Sequence, residues 1–554
     1  MKIFRLFIAF TLICFALSQR AQGVVPPPSG GYPNFTTAAG DRALQALTLG
    51  VGNTAIGTFS SFSVTTGSFN TAVGAGALDL NIADSNTATG AAALLFNTAG
   101  TENTANGTAA LEFNETGSQN TGTGAFALFS NTGGSFNTAM GDRALLSNST
   151  GANNTANGTG ALISNTTGNA NTANGASTLV SNTTADNNTA TGFAALFSNS
   201  TGTSNTATGA LALRNNTASN NTATGFNALF SNTTGTFNTA TGGGALVNNI
   251  DGGGNTATGV LALSANTNGN SNTAIGFVAL QNNAAGNSNT AIGVGALANS
   301  NTSNNTATGF QALNNATGPS NTAYGFSALF NDTTGGFNTA IGFNALLNST
   351  IGSENVALGD GAGLGVTTAT DVICIGAGVA GENVSNSCYI GQIFNATSSG
   401  GIAVFINSNG KLGTATSSRR FKDEIKPMDK ASESILALNP VTFHYKTDTK
   451  GIAQFGLVAE EVAEVNPDLV VRDKEGKPYA VRYDQVNAML LNEFLKEHRK
   501  VEEQEVTITQ LKTELQATAT RQQKQIEALA AGLQKVSAQL EASKPAPQVV
   551  LNRQ

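Results

Sequence analysis

Tryptophan is absent from this 554-residue chain and aromatic residues make up only 6% of it, which excludes a core organised around a few large rings. Charge is scarce too. Charged residues are 11% of the sequence, against roughly 25% in ordinary soluble domains, and no lysine occurs between Lys2 and Lys411. With a net charge of −7, the chain offers no basic patch, so nucleic acid is not an expected partner. Acidic residues in the middle of the chain are sparse and unpaired, which argues against the facing carboxylates of a glycosidase. His444 and His498 are the only histidines, so no metal and no cofactor is expected; His444 lies in a strand pattern and reads as a packing or surface residue. Cys14, Cys374 and Cys388 are too few for a disulfide framework, and spacing leaves open whether Cys374 and Cys388 pair.

What is present falls into unlike pieces. Residues 1–23 place Lys2 and Arg5 before an apolar run from Leu6 to Leu17 and then Ala21-Gln22-Gly23, the layout of a cleavable secretory signal. That run is too short to span a bilayer, so the mature chain is expected to be secreted, extracellular or at the cell surface, without a stable membrane span. A linker follows at 24–50. After Lys411 charged residues crowd together, marking a second kind of polypeptide joined to the first.

Between them lies a repeat. Asn-Thr-Ala-x-Gly or a close variant begins at Asn53, recurs through Asn338 and closes with a variant at Asn355; nineteen starts give a period of about 17 residues. A period this short excludes helical-hairpin repeats and suits one coil of a β-solenoid built from two short strands and two turns. Gly and Asn supply corners because they tolerate positive φ, and asparagine side chains can stack in ladders. Strand alternation turns the repeated Ala and Leu inward, giving a thin core of methyl groups. At roughly 4.8 Å per coil, such a rod is on the order of 90 Å long. Each coil buries little alone, so stability must come from stacking and from faces covered between chains, for which a homotrimer is expected. The many Asn-x-Thr sequons fall on the repeat and are explained by its turns. Gly359 to Gly365 superficially matches a phosphate loop, but without strand-then-helix context or a following Lys-Ser/Thr it is expected to cap the roll.

The Asn-Thr-Ala-x-Gly-x-x-Ala-Leu unit, as at Asn272 to Leu280, resembles the head repeats of trimeric autotransporter adhesins. The resemblance runs over roughly 50–395, including Ile375-Gly376 and Ile390-Gly391, and implies a trimer of parallel β-rolls with an adhesive role toward a cell-surface or glycan receptor. The period is longer than the family's. The residues after 500 read as a polar helical pattern and not as the membrane β-strands of that family, so self-anchoring in an outer membrane is not expected.

At Gly410 the composition switches, and Thr414-Ala415-Thr416-Ser417-Ser418-Arg419-Arg420-Phe421-Lys422-Asp423-Glu424-Ile425 follows. This stretch resembles the cleavage motif of the C-terminal intramolecular chaperone of endosialidase-type phage tailspikes, shared with the myelin regulatory factor group. Ser417, Arg420, Phe421, Lys422 and Ile425 match in register, whereas Ser418 stands where Asp is commonest. The resemblance implies a catalytic pair, Ser417 and Lys422, with Arg420 in support and cleavage next to Ser417. The chemistry is sound by itself, because a serine hydroxyl needs a base, and lysine serves when burial or a neighbouring cation such as Arg419 or Arg420 makes it give up its proton. Attack by Ser417 Oγ on the preceding carbonyl closes a five-membered ring, while attack on its own carbonyl closes a strained four-membered one. The Thr416–Ser417 bond is therefore favoured.

Downstream, Pro440-Val441-Thr442-Phe443-His444-Tyr445-Lys446 reads as a strand, and Gly456-Leu457-Val458-Ala459-Glu460-Glu461-Val462 as a strand end entering a short helix stopped by Pro467. Leu469–Arg472 and Tyr479–Arg482 flank Lys474-Glu475-Gly476-Lys477-Pro478, a hairpin signal. These elements, with Val481-Arg482-Tyr483-Asp484, resemble the same chaperone family in the same order. Beyond Asp484, read as an N-cap, Ile508, Leu511, Leu515 and Ile526, Leu529, Leu533 follow coiled-coil spacing interrupted near Gln522. The expected fold is mostly β: a trimeric parallel β-roll or solenoid array at 51–365, a distal roll or neck at 366–413, a small α/β chaperone domain at 414–500, a coiled coil at 501–543 and a polar tail at 544–554. The expected function is a secreted homotrimeric fibre whose chaperone removes itself as an autocatalytic serine endopeptidase. The alternative is an uncleaved structural or ice-binding solenoid with a trimerising tail.

Overall fold

The computed structural model describes residues 33–545 apart from 408, 447 and 449. The signal at 1–23, the start of the linker and the end of the tail lie outside the described residues. The chain divides into two compact units, one ending at Ala396 and the other starting at Thr397.

The first unit is a parallel β-solenoid of 22 strands, from β1 (Thr37–Ala39) to β22 (Ser387–Ile390). Each strand pairs in parallel with the next, in register, so that Thr222 meets Thr239 and Ala223 meets Ala240. The coil around β13 (Thr239–Thr241) shows why the repeat folds this way. Ala240 points inward and is fully buried, as are Ala245 and Leu246 further round the coil. Gly242 ends the strand at φ 131. A Cβ there would sit 2.5 Å from the Gly259 carbonyl oxygen of the next coil, so conformation and close approach both demand glycine.

The expected second strand of each coil does not form. Its place is taken by a turn in which the core leucine adopts positive φ, 51° at Leu246, at a cost of about 1–2 kcal/mol. The turn persists because its ladder continues from coil to coil, with the Leu246 amide donating to the Ala262 carbonyl at 3.0 Å, and because the side chain lies in the core.

Two buried asparagine columns hold the corners. The Asn255 amide donates to Asn238 Oδ1 at 3.0 Å, and Asn238 Nδ2 donates to the Gly252 carbonyl at 2.8 Å. In the other column Asn249 Nδ2 donates to Asn232 Oδ1 at 2.7 Å and to the Gly252 carbonyl at 2.9 Å. Buried amides satisfied in this way are what a thin core needs. The sequon residue Asn165 belongs to this second column, its Nδ2 donating to Asn148 Oδ1 and the Gly168 carbonyl.

Gly359 to Gly365 is an ordinary coil and not a cap, because β21 (Val372–Ile375) and β22 stack beyond it. Cys374 and Cys388 are free, the first buried and the second exposed. Cys388 lies opposite Ile373, one residue out of step with Cys374, so the two side chains leave opposite faces.

The second unit holds three short antiparallel hairpins: β23 (Val404–Ile406) with β24 (Leu412–Thr414), β25 (Val441–Phe443) with β26 (Gln454–Gly456), and β27 (Val470–Arg472) with β28 (Pro478–Val481). Helix α1 (Ala459–Val465) follows β26, and the 60-residue α2 (Tyr483–Ala542) follows β28. Val462, Leu469, Val470 and Met489 form the buried core. Asp484 is not the cap of α2; the helix starts at Tyr483, with Arg482 at the N-cap position. No helix among the described residues is long and apolar enough to cross a membrane.

Candidate functional site

Ser417 lies just after the β23–β24 hairpin. The chain then makes one 3₁₀ turn, Arg419–Phe421, closed by the Phe421 amide donating to the Ser418 carbonyl at 3.0 Å and the Lys422 amide to the Arg419 carbonyl at 3.1 Å. A 3₁₀ turn rises about 2 Å per residue against about 3.3 Å in a strand, so it shortens the path between Ser417 and Lys422. The Arg420 guanidinium lies over the Phe421 ring, 4.6 Å from its centre. Thr416, Ser417, Arg420 and Lys422 are all exposed. Among the described residues no hydrogen bond joins Ser417 to Lys422, so one copy of the chain brings the pair onto one short segment without joining their side chains. Leu412, Phe421 and Ile425 beside them are likewise exposed, leaving this segment with apolar surface that the unit itself does not cover.

The three downstream motifs meet at Gly456. Val441 pairs with Gly456 across the β25–β26 ladder. The Leu457 amide donates to the Tyr483 hydroxyl at 3.0 Å. A Cβ on Gly456 would lie 2.8 Å from that hydroxyl and 3.3 Å from the Phe443 ring, so glycine is what lets the Tyr483 and Phe443 elements close on the same spot. His444 adjoins this strand and is exposed.

Sequence reasoning missed a second cluster. Ser432 is fully buried, and its hydroxyl donates to Glu493 Oε1 and accepts from Asn492 Nδ2 at 2.7 Å. Lys496 Nζ donates to Glu493 Oε1 at 2.6 Å and lies 3.4 Å from Ser432 Oγ. A serine beside a lysine invites comparison with Ser417 and Lys422, but the charges exclude the same chemistry. The Lys496 hydrogen bond, then that of Ser432, hold the Glu493 carboxyl below the usual range, and Glu493 in turn raises Lys496. A lysine held protonated is no base. The cluster instead ties the start of α2 to the Asp429–Ala437 3₁₀ segment. Ser432 and Glu493 are 61 residues apart, and neither belongs to a local pattern that would have revealed them.

Neither the curated proteins nor the solved structures gave a match to this chain. Residues 417–471, opening on Ser417 itself and running through the Gly456 junction to β27, match the model of a peptidase family described as chaperone of endosialidase. The chain thus carries a chaperone-of-endosialidase domain on the C-terminal side of a long parallel β-solenoid.

Proposed function

We propose that this protein is a secreted homotrimeric fibre whose C-terminal unit acts as an intramolecular chaperone, brings three copies together and is then removed by cleavage at the Thr416–Ser417 bond. The observation that carries this reading is that the family match begins at Ser417, with Lys422 five residues on across a single 3₁₀ turn. Ser417 Oγ attacks the Thr416 carbonyl carbon while Lys422 accepts the hydroxyl proton. The C–N bond breaks as that proton passes to the Ser417 nitrogen, leaving an ester that water hydrolyses to a Thr416 carboxylate and a free Ser417 amine. Arg420 positions the turn and adds positive charge beside Lys422. In one copy the site stands in water, so the dry surroundings that make an amine a good base come from association. Cleavage then records assembly and leaves a kinetically trapped fibre.

Ser417→Ala and Lys422→Ala each abolish cleavage, giving one full-length band on denaturing gels, and mass determination of the wild-type C-terminal fragment finds it starting at Ser417. Normal fragments from either variant remove the proposed pair. The released solenoid serves as an adhesin-like fibre toward a surface or glycan receptor, as its resemblance to autotransporter heads implies. A second reading has its own observation: five successive coils present Thr-x-Thr in register, from Thr189 and Thr191 to Thr256 and Thr258. Such a regular hydroxyl and methyl array suits a structural coat or an ice-binding face. Glycan and cell binding by the released fibre, set beside its ice affinity, separates the two.

A further inference from the structure

The outward face of the solenoid is not uniform along its length. Two columns flank the glycine that ends each strand: the last strand residue, and the residue after the glycine. From β5 (Thr104–Asn106) to β13 they hold mainly Thr, Asn, Ala and Gly, as at Asn157 and Thr159 or Thr208 and Ala210, with Met140, Phe193 and Phe226 as isolated apolar rungs that do not adjoin one another. From β15 (Thr273–Ile275) to β19 (Thr339–Ile341) they become apolar. Ile275, Ile292, Tyr324 and Ile341 occupy four of the five rungs of one column and are 39–60% exposed, with Thr308 as the one polar rung between Ile292 and Tyr324. Phe277, Val294, Phe310, Phe326 and Phe343 fill the other, equally open to solvent. Phe310, Phe326 and Phe343 are stacked rung on rung, with ring centres 5.0 and 5.2 Å apart and planes within 16°.

We infer that copies of this chain meet side by side along this C-terminal apolar strip, in parallel and in register, while the Thr/Asn stretch from β5 to β13 stays outside the contact. These nine half-exposed aliphatic and aromatic side chains present roughly 800 Å² of apolar surface. That exceeds the roughly 300–600 Å² of the largest patch on a typical monomer and equals the roughly 800 Å² that each partner contributes to a standard interface. The occupant follows from periodicity and charge. The strip repeats once per coil, about every 4.8 Å, so a partner that covers every rung must carry the same repeat, and a second copy does. Neither column holds a charged residue from Thr258 to Leu358, so matching rungs of two copies meet without like-charge repulsion. This placement rests on the proposed chaperone-driven assembly, which aligns the copies, and adds where along the array they touch.

The test uses the full chain with exposed Cys388 changed to Ser. Ile341→Cys places a thiol on the strip and Thr191→Cys places one on the polar stretch. A short bis-maleimide links Ile341→Cys copies to one another at least fivefold more efficiently than Thr191→Cys copies. Adding Phe310→Ser, Phe326→Ser and Phe343→Ser removes the Ile341→Cys linkage while circular dichroism stays that of the solenoid. Equal linkage at both positions, or none at Ile341→Cys in a chain that sediments as an oligomer, overturns the strip and leaves the chaperone reading standing. A chain that sediments as a monomer overturns both.

Discussion

The solenoid and the C-terminal unit treat burial and charge in opposite ways. In the solenoid most coils contribute the same small methyl groups and the same buried asparagine amides, and each coil packs on its neighbours, so no coil depends on a distant one. The C-terminal unit depends on four buried residues drawn from α1, the Pro467–Leu469 3₁₀ turn, β27 and α2, and most of α2 is exposed. The acids differ too. Burial pushes Asp79 up to about 6, and Glu112 and Asp332 up to about 7. In the C-terminal unit hydrogen bonds hold Asp448 and Glu493 below the usual range: Asp448 through the Ile452 and Lys450 amides, Glu493 through Lys496 and Ser432. A repetitive fold tolerates a mispaired group because its neighbours are intact, whereas a small core must use each polar group to hold itself together.

The same truncation in both regions separates these modes most sharply. Leu469→Ala removes about 2–5 kcal/mol from a unit with little else to draw on. It is expected to unfold the C-terminal unit and with it abolish cleavage, read from hydrogen exchange over 430–490 and from denaturing gels. Leu246→Ala removes a similar amount from one coil, and exchange is expected to rise only in the coils on either side of β13. Global unfolding of the array by Leu246→Ala contradicts the picture of independent coils.

How much of this was legible depends on how local each feature is. The coil, its inward Ala and Leu, and the asparagine ladders could be read because each repeat restates them. The C-terminal hairpin and α1 could be read from turn residues and Pro467. The positive-φ turn at Leu246 could not, because leucine carries no preference for it and only the ladder between coils imposes it. The N-cap of α2 was misplaced by two residues, Asp484 for Arg482, because tertiary contact decides it: Tyr483 accepts from the Leu457 amide. The Ser417 and Lys422 spacing was visible in the chain, but the surroundings that would activate it are not made within one copy.

A smaller effect tests the buried acids. Asp332 stands in the second ladder column between Ala316 and Ser349, at a position where the earlier coils, from Asn81 to Asn283, carry Asn. Its folded-state carboxyl binds a proton more tightly than the unfolded one, since burial outweighs the Gly335 amide that pulls the other way. The native state therefore loses stability as pH rises from about 4 to about 7, and the penalty is constant above that. Asp332→Asn is expected to gain on the order of 2–4 kcal/mol at pH 8 and little at pH 4, measured by exchange in the surrounding coils. An equal gain at both pH values means that the carboxylate is not the cause.

The smallest effect runs the other way on the pH axis. The folded-state carboxyl of Glu493 is lowered, so its contribution is present above the ordinary glutamate range and is lost as pH falls through the folded value; Lys496, raised, keeps its contribution until pH climbs past the ordinary lysine range. Glu493→Gln keeps the shape and removes the charge. Exchange at the start of α2 is then expected to quicken by roughly two- to fivefold at pH 7, with wild type and variant converging in acid once the wild-type carboxyl is protonated. Lowering the pH thus strengthens the coils around Asp332 while loosening the anchor of α2 in the same molecule. A uniform response of both regions to acid would show that their charges are not used in the opposed ways the structure describes.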